Sequence, residues 1–161
     1  MDITSFLLGF TKGKNSGGSS DGGDSSTPSV CVTAKGEVAV TEDNTEITIE
    51  HGLGVVPDII MIIVNPLPAT GEAQFQSQLG FRQALVDRFG EGFEKFCGSL
   101  TAIGTAITLA GTNSIPIDAS SAGFAGGIYG ANALTFKVTS STTFPIIAGK
   151  TVNWYAVAGL T

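Results

Sequence analysis

The chain has 161 residues, a net charge of −6, and 14% charged against 42% hydrophobic side chains. An average soluble protein is about 25% charged, so the surface must be covered largely by Ser, Thr, Asn, Gln and Gly. The acids are concentrated as well: Glu37, Glu42, Asp43, Glu46, Glu50, Asp58 and Glu72 stand between Lys35 and Arg82 without an intervening Lys or Arg, the wrong sign for a phosphate backbone, which excludes nucleic acid as the expected partner.

The chain opens MDITSFLLGF, in which Ile3, Phe6, Leu7 and Phe10 fall at i, i+3, i+4 and i+7. That spacing predicts a short amphipathic helix over residues 1–12 whose apolar stripe must be buried against something. Asp2 is acidic, the unbroken apolar run is Phe6-Leu7-Leu8, and Lys12 and Lys14 follow it. A secretory signal has the reverse charge order and a longer apolar run, and a membrane span needs about 20 apolar residues. The expectation is therefore a partner-binding anchor, with no membrane as partner.

Residues 13–28, GKNSGGSSDGGDSSTP, hold five glycines and five serines and nothing that could join a core. This is flexible-linker composition; as a random coil it reaches roughly 20–24 Å, and fully stretched about 50–55 Å. Residues 29–161 remain as one domain long enough to bury a core of its own.

The domain reads as a series of short runs punctuated by turn residues. SVCVTAKGEVAVTED predicts two short apolar runs separated by Lys35-Gly36, and TEITIEHG alternates with Ile47 and Ile49 on one face. Cys31, beside Val30 and Val32, is expected to be buried in the first run, and Cys97, after Phe96, on an apolar face. A bridge between them is left open. PDIIMIIVNP places six apolar residues, Ile59 to Val64, between prolines and predicts a strand covered on both faces. AQFQSQLGF is readable as a strand in which Ala73, Phe75, Leu79 and Phe81 share parity. From Phe81 the apolar residues Leu85, Phe89, Phe93, Phe96 and Leu100 recur at three- and four-residue steps, which predicts a helix over Arg82–Phe89, continued raggedly to Cys97 across Gly90 and Gly92.

TAITLAGT, ALTFKVTS, TTFPIIAGK and TVNWYAVAGLT each read as strands. Leu134, Phe136 and Val138 alternate on one of them. On the last, Trp154 and Tyr155 point to opposite faces, with Trp154 on the core side beside Ala156 and Ala158. Seven or so strands with one helix predict a mainly β chain, an antiparallel β-sandwich with one short appended helix. SAGFAGGIYGAN and GLG, with no helix and no Lys following, read as loops of a β-protein and not as phosphate cradles.

The chemistry-bearing residues are few. The one histidine, His51, stands in HGLGVVPD, where Gly52 and Gly54 supply a turn, Leu53 and Val55 plug the sandwich end, and Pro57 re-enters an extended path. One imidazole cannot build a multi-histidine zinc site, and a serine triad would need His51 without any G-x-S-x-G to present the nucleophile. Glu42, Asp43, Asn44 and Glu46 lack the spacing of a calcium loop. No cofactor or metal is expected.

Two features resemble structural proteins of tailed bacteriophages. The leader MDITSFLLGFTKGKNSGG is similar to the short apolar anchors that open accessory virion proteins. HGLGVVPDIIMIIV with the terminal TVNWYAVAG resembles β-sandwich modules of phage tail and fibre proteins and, more remotely, H-type lectin domains, whose last strand is also rich in Trp and Tyr and ends in Ala and Gly. The resemblance implies a non-enzymatic virion component, made in the host bacterial cytoplasm and docked through Ile3, Phe6, Leu7 and Phe10 onto tail, baseplate or capsid proteins or onto copies of itself. The alternative is a lectin-like module that attaches to glycans of the bacterial surface, with Phe124, Tyr129 and Tyr155 as candidate contacts.

Overall fold

The computed structural model describes residues 30–43, 46–69, 72–90, 99–103, 106–110, 116–122, 126–141 and 143–161. The leader, the linker, Phe124 and Cys97 lie outside the described residues, as does the expected continuation of the helix beyond Gly90.

In chain order the elements are β1 (Val32–Ala39), β2 (Glu46–Glu50), β3 (Ile59–Asn65), β4 (Ala73–Phe81), α1 (Gln83–Phe89), β5 (Ser99–Ile103), β6 (Ala106–Ala110), β7 (Gly126–Tyr129), β8 (Thr135–Ser140) and β9 (Thr151–Ala158). They form two antiparallel sheets, one of six strands in the order β1-β9-β3-β4-β5-β6 and one of three in the order β2-β8-β7. The chain is the mainly β sandwich that its alternating runs predict.

The core lies between the sheets. Ile60, Ile62 and Val64 of β3 and Val152 and Ala156 of β9 meet Ile47 and Ile49 of β2, Phe136 and Val138 of β8, and Ile128 of β7. Period-two alternation selects these residues: on β3 they are fully buried, whereas Ile59 and Met61 are half-buried and Ile63 is exposed. The expected cover on both faces is thus complete on one side and partial on the other.

That other side receives α1. Leu85 and Val86 pack on Phe81, flanked by Ile59, Leu79 and Leu160. Arg82 in the N-cap position offers no side-chain cap, and the Gln83 amide instead donates to Asp118 Oδ1 at 3.0 Å, satisfying one of the orphan groups of the first turn. Gly90, with φ of 85°, closes the helix by donating its amide to the Val86 carbonyl.

Several expectations are corrected. β1 runs unbroken through Lys35-Gly36, because Gly36 stays in the strand opposite Trp154 and makes no turn. Leu100 belongs to β5, not to a helical face. GGIY within the glycine-rich stretch is strand β7, since it pairs with β8 from Gly126 to Tyr129. Of TTFPIIAGK, the described residues 143–150 form no strand beyond an isolated bridge at Ile146, which is buried. Leu134 precedes β8 and is exposed, and Val55 is 48% exposed and plugs nothing. Cys31 lies just before β1 and is an exposed free thiol.

The strand β4 carries a bulge between Phe75 and Ser77: Phe75 pairs with Thr101 and Ser77 with Leu100, leaving Gln76 as the extra residue. An inserted residue reverses the facing of everything beyond it. Phe75 therefore joins the inter-sheet core while Leu79 and Phe81 join the helix-covered face, so the shared parity expected of these residues is broken.

Candidate functional site

His51 follows β2 directly and is 4% exposed. Its Nε2 lies 2.9 Å from the Asn132 carbonyl oxygen, and its Nδ1 accepts from the Leu53 amide at 3.2 Å. The carbonyl contact requires the proton on Nε2 and the amide contact leaves Nδ1 as acceptor, so one neutral tautomer satisfies both. The ring also stacks against Phe136, with 6.2 Å between centroids. His51 is a strut between the β2–β3 and β7–β8 connections, the satisfied turn histidine that its setting predicts.

Asp58 is the second buried titratable side chain among the described residues, 1% exposed. It stands just before β3. Its Oδ2 accepts from the Leu160 amide at 2.7 Å, its Oδ1 from the Thr161 hydroxyl at 3.0 Å, and Arg82 Nη1 lies 3.5 Å from Oδ1. Arg82 reaches toward Asp118 as well, at 3.8 Å. The carboxylate ties the residues that follow β9 to the start of β3 and to the α1 N-terminus.

Buried amides do similar work on β4. Gln78 Oε1 accepts from the Ile128 amide at 2.6 Å, joining the two sheets, and Gln76 Nε2 donates to the Val64 carbonyl at 2.6 Å. Gln74 Nε2 donates to the Pro66 carbonyl at 3.4 Å and to Gln76 Oε1 at 3.2 Å. Backbone pairing of β3 with β4 runs from Ile59 to Ile63, so side-chain amides take up the carbonyls where the ladder stops.

The outer face of the small sheet carries a cluster of three interacting polar side chains. Glu46, Thr48 and Glu50 of β2 lie opposite Thr139, Lys137 and Thr135 of β8, and Lys137 lies opposite Tyr129 of β7. Lys137 Nζ sits 2.9 Å from Glu46 Oε1, and the Tyr129 hydroxyl donates to Glu46 Oε2. The ammonium also stands 5.8 Å from the Tyr129 ring centroid. These two donors, Tyr129 first and Lys137 second, hold the Glu46 carboxyl below its ordinary value, and the Glu46 carboxylate raises both Tyr129 and Lys137.

Of the candidate glycan contacts, Tyr129 stands on this face. Tyr155 is on β9 in the other sheet, pairing with Lys35 and Met61, and it alternates with the core-facing Trp154. The two tyrosines therefore lie on opposite outer faces of the sandwich and share no site. Phe124 and the anchor residues Ile3, Phe6, Leu7 and Phe10 lie outside the described residues. Glu46 and Lys137 are partners that sequence reasoning missed; alternation faces them outward, but nothing local says that β7, β8 and β2 are neighbours.

Of the residues considered for calcium, Asp43 Oδ1 accepts from the Ala148 amide at 2.8 Å, and Glu46 belongs to the tyrosine–lysine cluster. Among the described residues no group of three or more His, Cys, Asp and Glu side chains is placed to hold a metal ion, and no helix is long and apolar enough to cross a membrane. No family model, curated protein or solved structure matches the chain.

Proposed function

We propose that the protein is a non-enzymatic structural component of a tailed-phage virion, docked by Ile3, Phe6, Leu7 and Phe10 onto a tail, baseplate or capsid protein and exposing the β-sandwich. The observation that carries this reading is the use made of the two buried titratable side chains among the described residues. Both ring nitrogens of His51 and both oxygens of Asp58 are engaged with backbone and neighbouring side chains that join loops together. A catalytic acid or base must keep an atom within hydrogen-bond reach of a substrate, whereas the polar atoms of these groups are taken up by the fold.

Burying four large apolar side chains of the leader contributes on the order of 6–12 kcal/mol before the cost of ordering the segment is subtracted. Repetition around a symmetric particle multiplies a modest contact by avidity. The test is Phe6→Asp in the full chain. An unpaired carboxylate in an apolar groove is strongly disfavoured, so the variant should be soluble, folded and missing from purified particles. Normal incorporation would overturn the anchor.

The second reading, attachment to bacterial surface glycans, is favoured by one observation: Tyr129 stands beside the charged pair Glu46 and Lys137 on the outer face of the small sheet. Sugars are held by that combination of stacking and hydrogen bonding. A glycan array probed with the full chain and with Tyr129→Ala separates the readings: binding lost in the variant establishes the second, and no binding by either removes it.

A further inference from the structure

At one end of the sandwich lies an open groove of about 590 Å³, walled by Val30, Val32, Leu53, Val55 and Val56, with Asp58 and Arg82 at its polar end. Val30 is 76% exposed and Val55 48% exposed. The polar end is self-satisfied, since Asp58 and Arg82 are paired with one another and with neighbours. What is left uncovered on the apolar side is Val30 and Val55, whereas Leu53 packs against the inter-sheet core.

We propose that this groove receives the apolar face of the same chain's leader, Ile3, Phe6, Leu7 and Phe10. This inference rests on the anchor reading and extends it: the anchor has a resting seat on its own domain. Three facts favour the leader as occupant. The chain enters the described domain at Val30, which is itself a wall of the groove. The 16 residues from Gly13 to Pro28 are of linker composition and reach roughly 20–24 Å as a coil, so the leader is tethered at the rim with an effective concentration of order millimolar. The stripe of the leader is apolar, matching the Val30, Val32, Val55 and Val56 side of the groove.

A contact too weak to form between separate molecules is populated under such tethering. Seating shields the stripe while the protein is free, and the particle must bind the leader more tightly than the groove does in order to draw it out. Docking then exposes Val30 and Val55 as the leader departs.

The experiment uses the methyl-labelled full chain, comparing wild type, Phe6→Asp and Val55→Asp by NMR over a range of protein concentrations. Val55 is surface-exposed, so its substitution leaves the core intact. The expected result is contact between the Phe6 ring and the methyls of Leu53, Val55 and Val56 in wild type, independent of concentration. Those methyl resonances should shift in Phe6→Asp while Ile60 and Ile62 in the core stay unmoved, and Val55→Asp should abolish the ring contact. Groove methyls unmoved by Phe6→Asp would overturn the proposal, and if that variant still failed to enter particles the anchor would stand without the groove. A contact that strengthens with concentration in step with dimer formation would also overturn it, in favour of a second copy's leader.

Discussion

Gly36 lies directly beneath the indole of Trp154: the two residues are paired across β1 and β9, and a Cβ at position 36 would stand 2.7 Å from Trp154 Cζ2. Strand β1 continues through a glycine because the indole occupies the space a side chain would take. Trp154 in turn packs edge-on against Phe136, 5.8 Å between centroids, and completes the core from the β1 side.

Gly36→Val should therefore displace the indole. Overpacking of this kind costs about 1–3 kcal/mol, and the variant should show a red-shifted tryptophan emission together with a lowered denaturation midpoint. Trp154→Ala should cost about 3 kcal/mol, the low end for removal of a large aromatic, since the side chain is half-buried. Unchanged stability in Trp154→Ala would remove it from the core.

Asp58 secures the residues after β9 through the Leu160 amide and the Thr161 hydroxyl. Asp58→Ala should cost roughly 2–4 kcal/mol, because it leaves a part-buried amide without its acceptor and Arg82 without one of its two carboxylates. Amide exchange at Leu160 should accelerate well before global unfolding. Equal exchange in the two proteins would show that the carboxylate is not the clasp.

The Glu46 cluster predicts a pH signature. Its carboxyl is held below the ordinary value of 4.5 first by the Tyr129 hydroxyl and then by Lys137. A depressed folded-state value means that the contribution of Glu46 to stability is present above about pH 4.5 and is lost as the pH falls through the folded-state value. Tyr129 and Lys137 are raised from 10.0 and 10.5 by the same carboxylate, so their share is present below those values and lost as the pH rises through the elevated ones. An NMR titration of the Glu46 side chain should show its midpoint moving upward in Tyr129→Phe and in Lys137→Met. Global stability should change little in either variant, because the group is exposed and solvent screens it.

Gln78 Oε1 accepts across the sandwich from the Ile128 amide, and Gly127 gives it room: a Cβ there would stand 2.6 Å from that oxygen. Gln78→Met keeps the volume and removes the acceptor, which should cost about 1–3 kcal/mol. The Ile128 amide should lose its protection selectively. Gly127→Ala should be worse, since it adds the clash to a φ of 146°.

Elements whose signal is local are legible residue by residue. Ile47 and Ile49, Ile60, Ile62 and Val64, and Phe136 and Val138 alternate with period two, and Leu85 recurs at helical spacing from Phe81; each pattern states which side is apolar, and burial follows. The turn role of His51 was legible too, because glycines on its C-terminal side require a bend. Features that depend on neighbours distant along the chain are not legible in this way. Nothing within β9 says that it lies between β1 and β3, and nothing in AQFQSQLGF marks Gln76 as an extra residue; that is settled by where the Val64 and Pro66 carbonyls need donors. The same holds for Gly36, which reads locally as a break and is kept extended by Trp154, and for the meeting of Glu46, Tyr129 and Lys137 on one face. Side-chain period is a property of a few consecutive residues, whereas strand order, bulges and polar pairing are settled by which backbone groups and side chains, far apart in sequence, must satisfy one another when water is excluded.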